Sequence, residues 1–502
     1  MKRHVMVILC DQLRKDFLPI YGCQGIDTPH INALADNGVV FDHCITQSTV
    51  CAPARATMMT GRYVSDHQVW TNDVPFREGL EYIPQRMHEE GYVTGAFGKL
   101  HHTPGRDVKG FSVAKLMEEN RLKDEDDYYK YLKTKYTDVR SVFHVDRENR
   151  TFTLPEEDYY EAFIANEAMT FMKDNKHKPT FSWVSFQGPH GPYDPPEKWH
   201  GKVKRELLKK PIVRLKDDLS ETSKYRSVLR NISPDMEVIM DTREAYAEMI
   251  MEIDHQIGRI LTCLKQEGLY DHTTIIFSAD HGNMLGDMNI GEKGPFLYEP
   301  QLGIPMIISN HPSIDKGVRS DLLVGNIDIP GTVLDIAGVN RSIGYSKSIL
   351  KMLKGEEVRH VNYSEFCDSI RTVENEKYRY CYYPFENYAE LYDRENDPDE
   401  INNLAGRNDL LDVENMFLKE IIDFMLIGKG PQIEAHDLVP SKKAGIESKY
   451  TAFLDTFKVV FPLPTKEKYR RLQEAGLDAD YNAFCQECDI MASYGKYWED
   501  NE

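Results

Sequence analysis

Four short stretches of this chain carry residue types that hold cations and move protons. Asp11 and Gln12 follow the apolar run Val5–Leu9. Lys99, His101 and His102 follow Tyr92–Phe97, His190 follows Thr180–Phe186, and Asp280 and His281 follow Thr273–Ser278. Each residue alone reads as a turn, a cap or a polar surface group. Four sets, each just beyond a β-type run, read as one site. Asp11, Gln12, Asp280 and His281 offer two carboxylates, an amide oxygen and an imidazole. Hard oxygen donors suit Ca²⁺, Mg²⁺ or Mn²⁺, and the imidazole admits Mn²⁺ or Zn²⁺. A fifth stretch, Cys51-Ala52-Pro53-Ala54-Arg55, runs into the helix formers Met58–Tyr63. Pro53 in a first turn sets Cys51 near a helix N-terminus, where free N–H groups attract an anion. Arg55 adds a fork of donors. The plainer reading of Cys51 is a buried thiol before a capped helix.

The elements that must position these residues follow from the pattern. Short β-rich runs, with Met306–Ile308 as a fifth, alternate with helical stretches, which predicts a mostly parallel sheet sandwiched by helices. In such a sheet ligands bind beyond the carboxyl ends of the strands, where all four sets lie. Helices are expected at Ile83–Glu90, from Thr28-Pro29 to Gly38, and at Arg243–Gln266, where Met249, Ile253, Ile257, Ile260 and Leu264 recur at helical spacing. Glu252, Asp254 and His255 on that last helix read as a solvated face rather than a metal pair. Residues 105–178 and 195–240 look like polar insertions. Lys198–Lys216 carries eight basic residues against Glu206 alone, which reads either as a solvated face or as a positive lip over an anionic substrate. After about residue 355 the tyrosine-rich runs Val361–Phe366, Lys377–Tyr383 and Tyr388–Tyr392 predict antiparallel strands, with a helix over Leu410–Leu426. The chain thus divides into a catalytic α/β part (1–355), a smaller α+β subdomain with an antiparallel sheet (356–430) and an extension (431–502) that contacts the active site or a neighbouring subunit.

Composition narrows the function. With 61 Lys and Arg against 81 Asp and Glu, the net charge is −20, which argues against nucleic acid as a partner. At 41% hydrophobic residues the chain can fill a core, and global disorder or a coiled coil is excluded. No stretch approaches the ~20 apolar residues of a membrane span. The run Val5–Leu9 is too short for a signal peptide's core and meets Asp11 and Arg14 rather than a small-residue cleavage site, so a cytoplasmic location is expected. Nine irregularly spaced cysteines do not suggest a disulfide framework. Cys485-x-x-Cys488, without a second pair, reads as two ordinary thiols.

Taken together, the motifs resemble the type I sulfatases of the alkaline phosphatase superfamily. The resemblance runs to about residue 405. It rests on Cys10-Asp11-Gln12-Leu13-Arg14, Thr28-Pro29-His30-Ile31, Cys51-x-Pro53-x-Arg55 with Thr60-Gly61-Arg62, Gly98-Lys99-Leu100-His101 and Gly188-Pro189-His190-Gly191-Pro192-Tyr193. Ser278-Ala279-Asp280-His281-Gly282, Met284-Leu285-Gly286-Asp287, Lys293-Gly294-Pro295, Glu390-Leu391-Tyr392-Asp393 and Asn402-Asn403-Leu404 extend it.

The resemblance implies an alkaline phosphatase-like fold and hydrolysis of a sulfate monoester. It implies that a maturation enzyme converts Cys51 to Cα-formylglycine, whose hydrate is the nucleophile. It further implies that Asp11, Gln12, Asp280, His281 and the modified Cys51 hold one divalent cation, Ca²⁺ first and Mn²⁺ or Mg²⁺ as alternatives. Arg55 would steady the nucleophile, and Lys99 and Lys293 would grip the sulfate. His101 would take the proton that releases sulfate, and His190, helped by Lys293, would protonate the leaving oxygen. Such a nucleophile, cation and acid are what sulfate-ester cleavage needs.

Gln12 replaces the second Asp, and His281 the Asn, of many family members; both variants recur in choline sulfatases and phosphonate monoester hydrolases. Asn72 matches a position near the nucleophile in the phosphonate hydrolases, with a turn Asn as the plainer reading. Two hydrolase readings follow: a sulfatase acting on a carbohydrate or small alkyl sulfate, choline sulfate included, and a phosphonate monoester or phosphodiester hydrolase. Lys99 and His101 favour the first. An inactive protein that binds sulfated ligands would need a key group missing, and none is.

Overall fold

In the computed structural model of the chain, the described residues are 2–427 apart from 78, 120, 138, 140–143, 147–149, 215–218, 221–222, 225–234, 368 and 385, together with 473, 474 and 476. The extension 431–502 and the Cys485/Cys488 pair lie outside the described residues.

The apolar runs form an eight-stranded sheet. Its members are β1 (His4–Cys10), β2 (Gly38–Ile45), β3 (Val93–Gly98), β4 (Val113–Leu116), β7 (Thr180–Phe186), β8 (Thr273–Ala279), β9 (Met306–Ser309) and β10 (Val318–Gly325), in the order β10-β2-β9-β8-β1-β7-β3-β4. The two-residue strands β5 (Val145–Asp146) and β6 (Thr151–Phe152) pair apart from it. All pairings in the large sheet are parallel except those of β9, which runs against both neighbours. One antiparallel strand leaves the carboxyl ends of the other seven at a single edge. The central strands β1, β7 and β8 are buried along their whole length, as a parallel sheet covered on both faces requires.

Helices flank the sheet: α1 (Pro29–Asp36), α2 (Cys51–Thr60), α3 (Ile83–Glu89), α4 (Tyr160–Asp174) and the 31-residue α5 (Met236–Gln266). Three expectations need correction. Gly38 does not close α1; Asn37 does, and Gly38 opens β2, where a Cβ would sit 2.1 Å from the Ile308 carbonyl oxygen. Residues 105–178 are not an insertion. They supply β4, which extends the sheet beside β3, and α4, which buries nine of its residues. The basic stretch is in part no free lip: four of its eight basic residues lie against acids. Lys198 pairs with Glu156 and Glu252, Arg205 with Glu237, Asp241 and Glu244, Lys209 with Asp399, and buried Arg214 lies beside Glu390 and Tyr392. Lys216 lies outside the described residues.

The expected antiparallel sheet is present, with a fourth strand: β11 (Asn362–Phe366), β12 (Ile370–Glu374), β13 (Tyr378–Tyr383) and β14 (Tyr388–Asp393) in simple meander order. Helix α6 (Leu411–Ile427) covers it, with Phe417 and Ile421 against Val373, Tyr380 and Leu391. This sheet is lashed to the larger one. Buried Arg379 pairs with Glu374, Glu400 and Glu299. Tyr392 joins a cluster with Met284, Met288 and Phe296.

Candidate active site

Each strand end turns sharply and is pinned by long-range bonds. After β1 the chain passes through Gln12 with φ 69°, a left-handed conformation disfavoured for a side chain. The turn is held from both sides. The Gln12 N–H donates to Asp280 Oδ1 at 2.9 Å, and the Tyr246 hydroxyl of α5 donates to the Gln12 carbonyl at 2.7 Å. After β3, Gly98 (φ 92°) lets the backbone close on β7, since a Cβ there would meet the Ser185 carbonyl oxygen at 2.0 Å. His101 is also left-handed, and Glu118 holds its loop by accepting the Leu100 and His101 N–H groups at 2.6 and 2.9 Å. After β7, Glu161 of α4 accepts the Gln187 and Gly188 N–H groups and so sets the loop that carries His190.

Helix α2 begins at Cys51 and buries all ten of its residues. Asn72 Oδ1 accepts the Ala52 N–H at 3.1 Å, filling one of the donors a helix start leaves free. Gly61 closes the helix in a left-handed cap. The Thr49 hydroxyl donates to the Gly294 carbonyl at 2.8 Å and thereby draws Lys293 toward the same helix end.

These elements converge on the Cys51 sulfur. Lys293 Nζ lies 2.7 Å from it, His281 Nε2 3.2 Å and Asp11 Oδ1 3.8 Å. One ligand atom each from Asp11, Cys51, Asp280 and His281 lies within 4.8 Å of the others, and all four residues are buried. The donor set fits a divalent cation, and an independent observation agrees: Gln12 Oε1 is buried with no partner among the described residues. A buried amide oxygen left bare is costly unless something ligates it.

Arg55 binds the carboxylates rather than the sulfur. Its Nε donates to Asp280 Oδ2 at 2.9 Å, its Nη2 to Asp11 Oδ2 at 3.2 Å, and its Nη1 to the Lys99 carbonyl and to Ser185 Oγ. Lys99, fully buried, pairs with Asp11 and with Glu119. Burial pushes the Asp11 carboxyl up, but Lys99, Lys293, His190 and Arg55 outweigh it and hold Asp11 well below the usual range. His101 is buried and its Nδ1 has no partner among the described residues; burial, Arg121 and Lys99 keep it neutral, well below an ordinary imidazole. His190 is partly exposed, with Nδ1 3.6 Å from Glu119. Burial, Lys293 and Lys99 lower it to about 4.

All eleven candidate residues thus have a position in the structure. Asp11, Cys51, Asp280, His281 and Lys293 meet directly, Gln12, Arg55 and Lys99 are bonded to them, and Asn72 supports the helix end. His101 and His190 share charged neighbours with them. His102 instead packs against Phe76, the two rings tilted with centroids 4.5 Å apart. The sequence reading missed Glu118 and Glu119. Their signal was weak: a four-residue edge strand, Val113–Leu116, delivers them.

A family model described as Sulfatase matches residues 3–339, and one described as N-sulphoglucosamine sulphohydrolase, C-terminal, matches residues 291–425. An arylsulfatase of Clostridium perfringens is 26% identical over 461 residues, which span 85% of this chain and 93% of that protein. A choline-sulfatase of Rhizobium meliloti is 26% identical over 434 residues, 80% of this chain and 82% of that one. Among solved structures, a phosphonate monoester hydrolase of Agrobacterium radiobacter superposes with a TM-score of 0.73 at 22% identity, covering 85% of this chain and 96% of its own.

Proposed function

This chain belongs to the sulfatase family, and on that premise we propose that it cleaves a carbohydrate sulfate monoester with Ca²⁺ and a formylglycine made from Cys51. The observation that carries this reading is the convergence of Asp11, Asp280, His281 and Lys293 on the buried Cys51 sulfur at the first turn of α2. That the enzyme is a hydrolase of sulfate esters follows from the family and this cluster together.

A bound divalent cation supplies positive charge against the sulfate oxygens. Conversion of Cys51 by a maturation enzyme would supply an aldehyde whose hydrate carries two hydroxyls, one to attack sulfur and a second whose loss of a proton expels sulfate; a serine or an unmodified thiol has no such second group. The chain's own residues do the rest. Arg55 fixes the two aspartates in place. Lys99 and Lys293 present ammonium groups on the side of residue 51, where they stabilise charge moving onto the sulfate. His101, neutral and with a free ring nitrogen, accepts the proton that frees sulfate. His190 donates to the leaving oxygen; a sulfate anion between Lys99 and Lys293 offsets the charges that depress its basicity, so substrate binding itself arms the acid. Asn72 holds the amide beside residue 51.

The carbohydrate assignment leans on the match of residues 291–425 to the C-terminal part of N-sulphoglucosamine sulphohydrolases. A choline-sulfatase-like activity draws support from the Rhizobium relative. The phosphonate monoester or phosphodiester reading draws on Gln12 and His281; Lys99 and His101, both in the site, weigh against it. The cytoplasmic location is part of the same proposal, in keeping with seven described cysteines that stand as free thiols; among the described residues no helix is long and apolar enough to cross a membrane. The division at residues 355/356, and a contact role for 431–502 at the active site or between copies, are proposed with it.

The test is a panel of sulfate, phosphonate and phosphodiester esters, given to protein co-expressed with a maturation enzyme. Mass spectrometry of the peptide holding Cys51 verifies conversion. Turnover of sulfated sugars above all other esters is the expected result. Converted protein that cleaves only phosphonates would overturn the reading.

A further inference from the structure

We propose that Glu119 is a positioning residue for this reaction, a carboxylate that shares Lys99 with the substrate's sulfate and aims it. The inference rests on the sulfatase reading and adds to it a residue outside the expected set.

Glu119 ties three strand ends together. It follows β4, yet one of its oxygens, Oε1, meets Lys99 Nζ at 2.6 Å from beyond β3; His190 Nδ1, 3.6 Å away, is bonded instead to the Gly191 carbonyl at 2.6 Å. The same oxygen accepts from the Gln187 amide, and Oε2 takes Arg121 Nη1 at 2.5 Å. The residue holds these bonds from a left-handed backbone, φ 52°, a conformation disfavoured for a side chain of this kind. Its neighbour Glu118 fixes the backbone of the Lys99–His101 loop and takes the other Arg121 nitrogen at 2.7 Å. One acid thus holds the loop and the next holds its side chains.

The chemistry follows from donor counting. An ammonium group has three N–H donors. Asp11 and Glu119 take two on Lys99, which leaves one with a fixed direction. A sulfate in the site receives that third donor. It also faces the negative charge of Glu119, which weakens its hold in the ground state and favours release of the product. Such a device spends no affinity on sulfate where affinity does not speed the reaction.

Glu119→Gln and Glu119→Asp separate charge from reach. Two measurements apply: turnover of 4-nitrophenyl sulfate by converted, metal-loaded enzyme, and calorimetric binding of inorganic sulfate to unconverted, metal-loaded protein. In Glu119→Gln, sulfate is expected to bind at least about fivefold tighter, because a like charge is gone. Its kcat is expected to fall about tenfold, with a KM below that of the unaltered enzyme. Glu119→Asp keeps the charge and loses the reach: its sulfate affinity stays within about twofold, while kcat falls. Unchanged sulfate affinity in Glu119→Gln, or unchanged kcat in both variants, overturns the proposal. Melting temperatures check that each variant is folded. The sulfate titration reads Glu119 without catalysis, so absence of turnover in the unaltered enzyme strikes the proposed reaction and not this residue's role.

Discussion

Lys293 Nζ sits 2.7 Å from the Cys51 sulfur, across 242 positions of sequence. Burial and the Asp11 carboxylate push the thiol up, but Lys293, Lys99 and His281 outweigh them and lower it. The site therefore surrounds residue 51 with positive charge even before substrate arrives. A nucleophile that must meet an anion is best served by such a setting.

Cys51→Ala should reduce turnover to below about one-thousandth of the unaltered enzyme, the scale seen when a nucleophile is removed. The fold should survive, since α2 is held by its own buried residues. Steady-state rates beside melting curves test this; normal activity would remove residue 51 from the reaction.

Lys99→Ala and His190→Ala should each lower kcat by at least about tenfold. The lysine change should also raise the KM for a sulfate ester, because Lys99 is assigned to the sulfate and His190 to the leaving oxygen. Equal effects on KM would contradict that division of labour.

Chelation should abolish turnover and lower the melting temperature, because a cation bound only to the folded state stabilises it by about 2.7 kcal/mol at a hundredfold excess over Kd. Returning Ca²⁺, Mg²⁺ and Mn²⁺ one at a time should restore most with Ca²⁺. Gln12→Ala should demand more metal for half-activation. An activation curve that does not move would mean that Gln12 Oε1 has another partner.

Arg379→Met should destabilise the chain by about 3–5 kcal/mol in urea unfolding, as loss of one member strands its buried partners. Here those partners are Glu374, Glu400 and Glu299, which join the small sheet to the large one. A change of less than about 1 kcal/mol, the worth of a surface pair, would show the cluster to be solvated.

His67 offers a pH prediction away from the metal. Its Nδ1 accepts the Val69 N–H at 3.0 Å, so Nε2 carries the proton given to Thr57 Oγ1 at 3.1 Å. Burial first, then Arg62, lowers it to about 3. The unfolded chain protonates near 6.5 and the folded one does not, so stability present above about pH 6.5 is lost as pH falls toward 3. Unfolding free energies of His67→Gln should lose that part of the slope. Parallel curves for the two proteins would remove His67 as a contributor.

The sequence by itself carried the site's chemistry, because each reactive residue stands within a few positions of the strand that delivers it. A buried strand announces itself as an apolar run, so Asp11, Lys99, His190 and Asp280 came with their addresses attached. The Cys51–Arg55 stretch was legible for the same local reason: a proline in the first turn, followed by helix formers.

Tertiary structure alone decided what depends on partners far along the chain. The reversed direction of β9 follows from how its connection crosses the sheet, not from Met306–Ser309. Glu118 and Glu119 were hidden because Val113–Leu116 has no apolar run and becomes a strand only beside β3. Within the basic stretch, Arg205 lost its apparent free charge to acids more than thirty positions away, on α5, and Lys209 to Asp399. Local pattern can say which residues sit at a strand's end. Only the packed sheet says which other charges they face, because electrostatic partners are set by distance in space.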